Sequence, residues 1–116
     1  MKKRLQGGEV NKPDSVDLGY LHLPIIYDAN LIAGDSLGEF QPEKGRIVIS
    51  DAISGIVLLD TLNHEIKHVM WYLAEIKEAD AGEEFAVSVL GHLDTELQMR
   101  NPKLLKWILE TTKKER

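Results

Sequence analysis

The feature that most constrains this chain is the pentapeptide His64-Glu65-Ile66-Lys67-His68, which lies in a stretch with helical periodicity. On an α-helix, residues four positions apart lie one above the other, so the two imidazoles face a common point. Two neutral imidazole nitrogens about 2 Å from one point form half of a typical zinc site. Glu65 lies about 100° around the helix, so its carboxylate can reach a water on the metal rather than the metal itself. The spacing therefore predicts a metal site on a helix.

The apolar residues around this motif recur at steps of three and four, which predicts an amphipathic helix of about 20 residues. Ser54 is the predicted N-cap of this helix. The apolar positions are Leu58 or Leu59, Leu62, Ile66, Val69, Leu73 and Ile76. The motif lies in the middle of the helix, where the backbone is most rigid and holds two ligands most accurately.

Strands are predicted before the motif helix and helices after it. Residues 21–27 predict a strand with Pro24 at an edge or bulge, and residues 46–50 predict a stronger strand that pairs with part of residues 37–40 as a hairpin. His22 is expected to face solvent. A second helix is predicted from about Glu83 to Met99, with Phe85, Val89, Leu93 and Leu97 on its apolar face. A third helix is predicted to start at Pro102, with Leu104, Leu105, Ile108 and Leu109 as its apolar residues.

The predicted fold class is α+β, with a small N-terminal sheet followed by the motif helix and two further helices. At 116 residues, the chain is expected to form one domain with a single core. Residues 1–17 are interpreted as a flexible arm, with a short strand around Val10 as its only regular structure.

The composition excludes several classes of function. The chain has no cysteine, which excludes disulfides, thiolate zinc sites and cysteine nucleophiles. A net charge of −5 argues against broad binding of nucleic acid or anionic membranes. There is no signal-peptide pattern and no run of about 20 apolar residues, so we expect a cytoplasmic protein without a membrane span.

A catalytic zinc held by two histidines needs a third protein ligand. A glutamate at the start of the next helix is a suitable candidate, because antiparallel packing would bring that end of the helix back towards the motif. Glu83 and Glu84 are both there, 15 and 16 residues after His68. Periodicity separates the two only weakly, since either lies at the border of the buried face. An acidic residue in a first helical turn is otherwise a favourable partner of the helix dipole.

Together these residues resemble small gluzincin-type metallopeptidases, which occur in bacteriophages and bacteria and are related to the SprT-like and repressor-cleaving metallopeptidase groups. The resemblance covers about residues 46–110 and extends weakly to the strand at Leu21. It is carried by residues 60–68, the pair Glu83-Glu84, Val87, Leu90 and Arg100-Asn101-Pro102. It implies a minimal zincin-like domain in a bacterial or phage-infected cytosol. Matched forward from Val87 and Leu90, it also implies Glu84 as the third ligand, with Glu83 as the alternative. The chain departs from the family at Lys67 and His92.

The implied activity is zinc-dependent hydrolysis of a peptide bond in a peptide or protein substrate. His64, His68 and Glu84 would bind one zinc ion, which lowers the pKa of a bound water to about 7, and Glu65 would act as the general base. Tyr72 and His92 are the available second donors to the substrate carbonyl, although each is more readily interpreted as structural.

Two further roles are predicted from position along the chain. The strand around Ile47 to Ile49 is expected to lie along the cleft and pair with an extended peptide. Asp60, one turn before His64, is the nearest carboxylate that could hold its imidazole.

Two alternative functions use the same residues. One is a non-catalytic protein-interaction module stabilised by zinc, in which a fourth side chain such as His92 closes the site. The other is an α+β interaction protein that binds no metal. The number of protein ligands, three or four, distinguishes a catalytic from a structural zinc site.

Overall fold

A computed structural model describes residues 11–31, 36–77 and 82–115 of the chain. The strands within these ranges are β1 (Ser15–Asp17), β2 (His22–Asp28), β3 (Gly38–Gln41) and β4 (Arg46–Ser50). They are followed by the helices α1 (Gly55–Lys77), α2 (Glu83–Arg100) and α3 (Pro102–Glu115). A four-stranded sheet followed by three helices confirms the predicted α+β fold class. None of these helices is both long and apolar enough to cross a membrane.

The four strands form one sheet in the order β1-β2-β4-β3. Strand β2 pairs antiparallel with β1 and parallel with β4, and β3 pairs antiparallel with β4. Both sides of β4 are therefore occupied: Ile47, for example, lies between Ile25 of β2 and Phe40 of β3. The expectation that the strand at Ile47 to Ile49 receives a peptide is wrong, because β3 is the edge strand on that side.

The local sequence predicts the β3–β4 hairpin correctly. It does not predict the position of Pro24, which was expected at an edge or bulge. Strands β3 and β4 form the expected hairpin, with a turn at residues 42–45 in which Gly45 has a φ of 62°. Pro24 lies within an interior strand, at the point where β2 stops pairing with β1 and starts pairing with β4 at Ile25. The N–H that proline lacks is therefore outside the register of the β2–β4 pair.

Strand β1 corrects the interpretation of residues 1–17 as a flexible arm. Residues Ser15–Asp17 pair with β2, and both Val16 and Leu18 are fully buried. A three-residue strand with one apolar side chain has no detectable alternation, so its burial depends on tertiary packing that the local sequence does not show. Residues 1–10, including the strand expected around Val10, lie outside the described residues.

The segment before β1 is held against β2 by Tyr27. The Tyr27 hydroxyl donates a hydrogen bond to the carbonyl oxygen of Pro13 at 2.5 Å. Burial, and secondarily the nearby Asp14 carboxylate, raises the pKa of Tyr27 to about 12. The phenol therefore stays protonated and remains a donor at physiological pH. The Lys12 ammonium lies over the same ring, 3.9 Å from its centre.

Helix α1 begins directly after Ser54 and covers the sheet. Five of its predicted apolar positions are buried as expected: Leu58, Leu62, Ile66, Val69 and Leu73. They pack in one core with Leu23, Ile25, Ile47 and Ile49 of the sheet and with Leu93, Leu97, Leu104 and Trp107 of the later helices.

Helices α2 and α3 have the predicted boundaries but bury partly different faces. The buried residues of α3 are Leu104, Trp107 and Thr111, while Leu109 is 55% exposed. A residue two positions from Trp107 lies about 200° away around the helix, so Leu109 cannot share its face. In α2, Leu93 and Leu97 are buried as predicted, whereas Phe85 is 38% exposed because the core is reached only by the later turns of this helix.

Asn101 connects the junction of α2 and α3 to β1. The backbone N–H of Asp17 donates to Asn101 Oδ1 at 2.8 Å, and Asn101 Nδ2 donates to the Asp17 carbonyl at 2.7 Å. Asn101 Nδ2 also donates to the carbonyl of Leu97 at 2.8 Å. The Asn101 side chain is buried, so these groups have exchanged water for one another. In the sequence, Asn101-Pro102 indicates only the end of a helix.

We expect Asn101→Ala to lower the free energy of unfolding by about 2 kcal/mol, because it leaves the backbone groups of Asp17 without their partner. The matched control is Thr95→Ala on the same helix, where an exposed hydroxyl donates to the carbonyl of Gly91 at 3.0 Å. Its effect should stay within about 0.5 kcal/mol. Urea denaturation of both variants measures the difference, and equal midpoints for the two would contradict the assignment.

Candidate metal centre

Helix α1 places His64 and His68 side by side on its exposed surface. Their Nε2 atoms are 3.1 Å apart, and their ring centres are 4.7 Å apart with the planes at 78°. Two imidazole nitrogens on one tetrahedral zinc are about 3.3 Å apart, given Zn–N bonds of about 2.0–2.1 Å. The pair therefore has the spacing needed for one small cation. The same spacing also allows a hydrogen bond from a protonated ring nitrogen to an unprotonated one.

Glu65 is the buried polar residue of the motif. Its side chain is 6% exposed and borders the same cleft as the two histidines. Within the described parts of the chain, its carboxylate has no hydrogen-bond or ion-pair partner. A buried carboxylate without a partner is energetically costly, so this group is suited to a cation or to a water held beside one. The two imidazoles fit zinc as two of its ligands, and the carboxylate of Glu65 borders the same cleft.

Strand β3 lies directly on this part of α1 because residue 38 is a glycine. A Cβ atom at Gly38 would lie 2.9 Å from Ile49 Cδ1, 2.9 Å from Thr61 Cγ2 and 3.3 Å from Glu65 Cγ. The first two distances are too short for carbon atoms, so a larger residue would push β3 away from the helix. The sequence did not lead us to predict this close approach at Gly38, although a glycine inside a strand often marks a site where two backbones lie close together.

Helix α1 and the segment around β3 border an open cleft of about 460 Å³. One wall is formed by α1 through His64, Glu65, His68, Trp71 and Tyr72, and the other by the segment around β3 through Ser36, Gly38, Glu39, Phe40 and Pro42. The rings of Phe40 and Tyr72 meet edge to face, with centres 5.5 Å apart and planes at 76°. The cleft therefore contains the motif at one position and aromatic side chains beside it.

The predicted third ligand is not grouped with His64 and His68 in the structure. Glu83 and Glu84 occupy the first turn of α2 and are exposed. Across residues 11–31, 36–77 and 82–115, no group of three or more His, Cys, Asp or Glu side chains is arranged to hold a metal. Helix α1 continues nine residues beyond His68, about 14 Å along its axis, so the chain turns far from the motif. The assignment of Glu84, or of Glu83, stays a prediction.

The structure separates the other candidate side chains. Tyr72 lies in the cleft one turn beyond His68. In contrast, His92 lies beside Tyr20, with ring centres 6.1 Å apart, and its Nε2 is 3.9 Å from Glu96 Oε2. Asp60 is exposed and borders a different hollow near Leu37 and Val57, without a hydrogen bond to His64. Tyr72 is therefore the candidate second donor that the fold brings to the cleft. His22 is exposed, as expected.

Comparison of the chain with protein-family models, curated proteins and solved structures finds no match. The resemblance to gluzincin-type metallopeptidases thus stays a prediction based on the residues quoted for it. In the folded chain, a histidine pair, a buried glutamate and an edge strand line one cleft.

We expect zinc binding to require His64, His68 and Glu84. Alanine at any one of them should weaken zinc affinity by more than about 100-fold, beyond the cost of losing a group that only supports a ligand. His22→Ala and Glu83→Ala should bind as the wild type does. Isothermal titration of tag-free protein with zinc measures this series. Unchanged affinity in His64→Ala would contradict the site, and loss in Glu83→Ala but not in Glu84→Ala would move the third ligand to Glu83.

We also expect Gly38→Ala to lower the free energy of unfolding by about 1–3 kcal/mol, the usual cost of overpacking. The control is Gly91→Ala on α2, where an added Cβ meets nothing within 4 Å. That change should be neutral or stabilising, because alanine is the better helix former. Urea denaturation compares the two, and a Gly38→Ala variant as stable as Gly91→Ala would show that β3 does not depend on the glycine.

Proposed function

We propose that this protein is a zinc-dependent hydrolase of peptide bonds with Glu65 as its general base. The observation that carries the proposal is the carboxylate of Glu65, which is buried and has no partner among the described residues. It lines an open cleft together with two imidazoles whose Nε2 atoms are 3.1 Å apart. Each buried polar group left unsatisfied in a native structure calls for an explanation, and a catalytic role is one such explanation.

In this proposal His64 and His68 would hold the metal, with Glu84 as the third ligand and Glu83 as its alternative. When bound, zinc would supply Lewis-acid activation. Glu65 would accept a proton from the attacking water and donate it to the leaving amine. Gly38 lets β3 approach the stem of the Glu65 side chain closely, since an added Cβ would lie 3.3 Å from Glu65 Cγ.

The edge of β3 is the proposed binding surface for the substrate backbone. Among the described strands, β3 pairs with β4 alone, so its other side presents N–H and C=O groups to which a further strand could pair. On that side the Gly38 carbonyl accepts a hydrogen bond from the Ser36 hydroxyl at 2.5 Å, which an added strand would share or displace. Gly38 and Phe40 place this edge beside Glu65 and Tyr72. An extended peptide added to β3 would therefore pass the histidine pair.

The position of His92 favours the catalytic function over the zinc-stabilised interaction module. A structural zinc site is closed by four protein ligands, whereas a catalytic site keeps one position for water. His92 was the candidate fourth ligand, and its contacts with Tyr20 and Glu96 lie on the part of α2 that packs near β1. The cleft beside β3 is thus left open.

We expect Glu65→Gln to keep its zinc and to lower peptide cleavage by about 10²- to 10⁴-fold, the usual contribution of a general base. The glutamine keeps the shape of the side chain but cannot accept the proton. Cleavage of a random peptide library, followed by mass spectrometry, measures turnover, and elemental analysis measures zinc. Glu110→Gln on α3 controls for the loss of one carboxylate. Full zinc content and wild-type turnover in Glu65→Gln would remove Glu65 from this role.

A further inference from the structure

The cleft has a distinct aromatic region next to the motif. We infer that it binds extended peptides through one large apolar side chain, aromatic above all, about two residues from the position that lies beside Glu65. The inference rests on the proposed function, which it deepens by naming the substrate class. Its basis is the aromatic cluster of Phe40, Trp71 and Tyr72 on the cleft walls.

Helical geometry places the aromatic cluster one turn beyond the histidines. Trp71 and Tyr72 follow His68 by three and four residues, so they lie about 5 Å farther along the axis of α1. Phe40 approaches from β3 and meets the Tyr72 ring edge to face. The cluster therefore extends the same cleft rather than forming a separate surface.

Trp71 is more exposed than a packing role requires. Its neighbours Met70 and Leu73 are buried in the core, whereas Trp71 is 54% exposed on the cleft side of the helix. Tyr72 is 37% exposed. An aromatic ring packed on another contributes about 0.5–1.5 kcal/mol beyond the area it buries. An aromatic side chain of a substrate would gain this stabilisation on binding here, whereas an alanine side chain would not.

The alternation of β3 determines where the substrate side chain lies. Gly38 and Phe40 share the face of β3 that contacts α1, while Glu39 faces the other way. Residues directly opposite one another on paired strands point to the same face. In a peptide added to β3, the residue opposite Gly38 lies beside Glu65, and the residue opposite Phe40 points its side chain to the aromatic cluster. These two substrate residues are two positions apart.

The first test maps preference. Zinc-loaded protein is incubated with a random peptide library, and the products are sequenced by mass spectrometry. We expect Phe, Tyr, Trp, Leu or Met to be enriched at one position within three residues of the cleaved bond. Cleavage without such enrichment would overturn the inference but not the proposed function.

The second test uses two peptides that differ only by Phe or Ala at that position. In the wild type, we expect kcat/KM to be about 10-fold higher for the Phe peptide. Trp71→Ala should remove most of this ratio, because kcat/KM falls more for the Phe peptide than for the Ala peptide. The control is Leu109→Ala on α3, since Leu109 is 55% exposed and Trp71 is 54% exposed. An equal loss for both peptides in Trp71→Ala would overturn the inference.

A binding measurement decides the inference independently of cleavage. A Phe peptide, chosen with the predicted spacing, is titrated into the zinc-loaded Glu65→Gln variant while tryptophan emission is recorded. We expect a blue shift from Trp71 that is absent in the Glu65→Gln, Trp71→Phe double variant, in which buried Trp107 is the remaining tryptophan. A peptide-induced shift with no cleavage by the wild type would support this inference and contradict the proposed function. No shift would overturn the inference.

Discussion

The packing of α1 on the sheet determines the chemistry of the cleft. Its buried apolar face holds the helix at one rotation about its axis, and at that rotation Glu65 is buried while His64 and His68 are exposed. A rotation by one residue, about 100°, would bury a histidine or expose the glutamate. The different environments of adjacent residues in the motif are thus a result of core packing. They supply what the proposed chemistry requires: accessible imidazole nitrogens beside a shielded carboxylate.

Elements with a local signal could be predicted from the sequence. Helix α1 has apolar residues at three- and four-residue steps, Asn101-Pro102 separates α2 from α3, and Gly45 ends the turn of the β3–β4 hairpin. The parallel pairing of β2 with β4 has no such signal, because Ile25 and its partner Ile47 are far apart in sequence and nothing in either strand identifies the other. Strand β1 is too short to show alternation, and its burial depends on α2, which comes much later in the chain.

The same distinction applies to the site. His64, Glu65 and His68 belong to one helix, so their relative positions follow from helical geometry alone. The contribution of Gly38 depends on where another element crosses the helix, and the sequence could not show that crossing. The same is true of Phe40, whose partner Tyr72 lies on α1. A third metal ligand on α2 likewise depends on how two helices pack, and this is why periodicity could not choose between Glu83 and Glu84.

The Asn101–Asp17 contact joins residues 84 positions apart. Closing a loop of this length costs entropy before the hydrogen bonds form, so we expect this contact to form late in folding. Interactions made late in folding have little effect on the folding rate and act mainly on the rate of unfolding. We therefore expect Asn101 to slow unfolding. It would prolong the lifetime of the native state without accelerating folding.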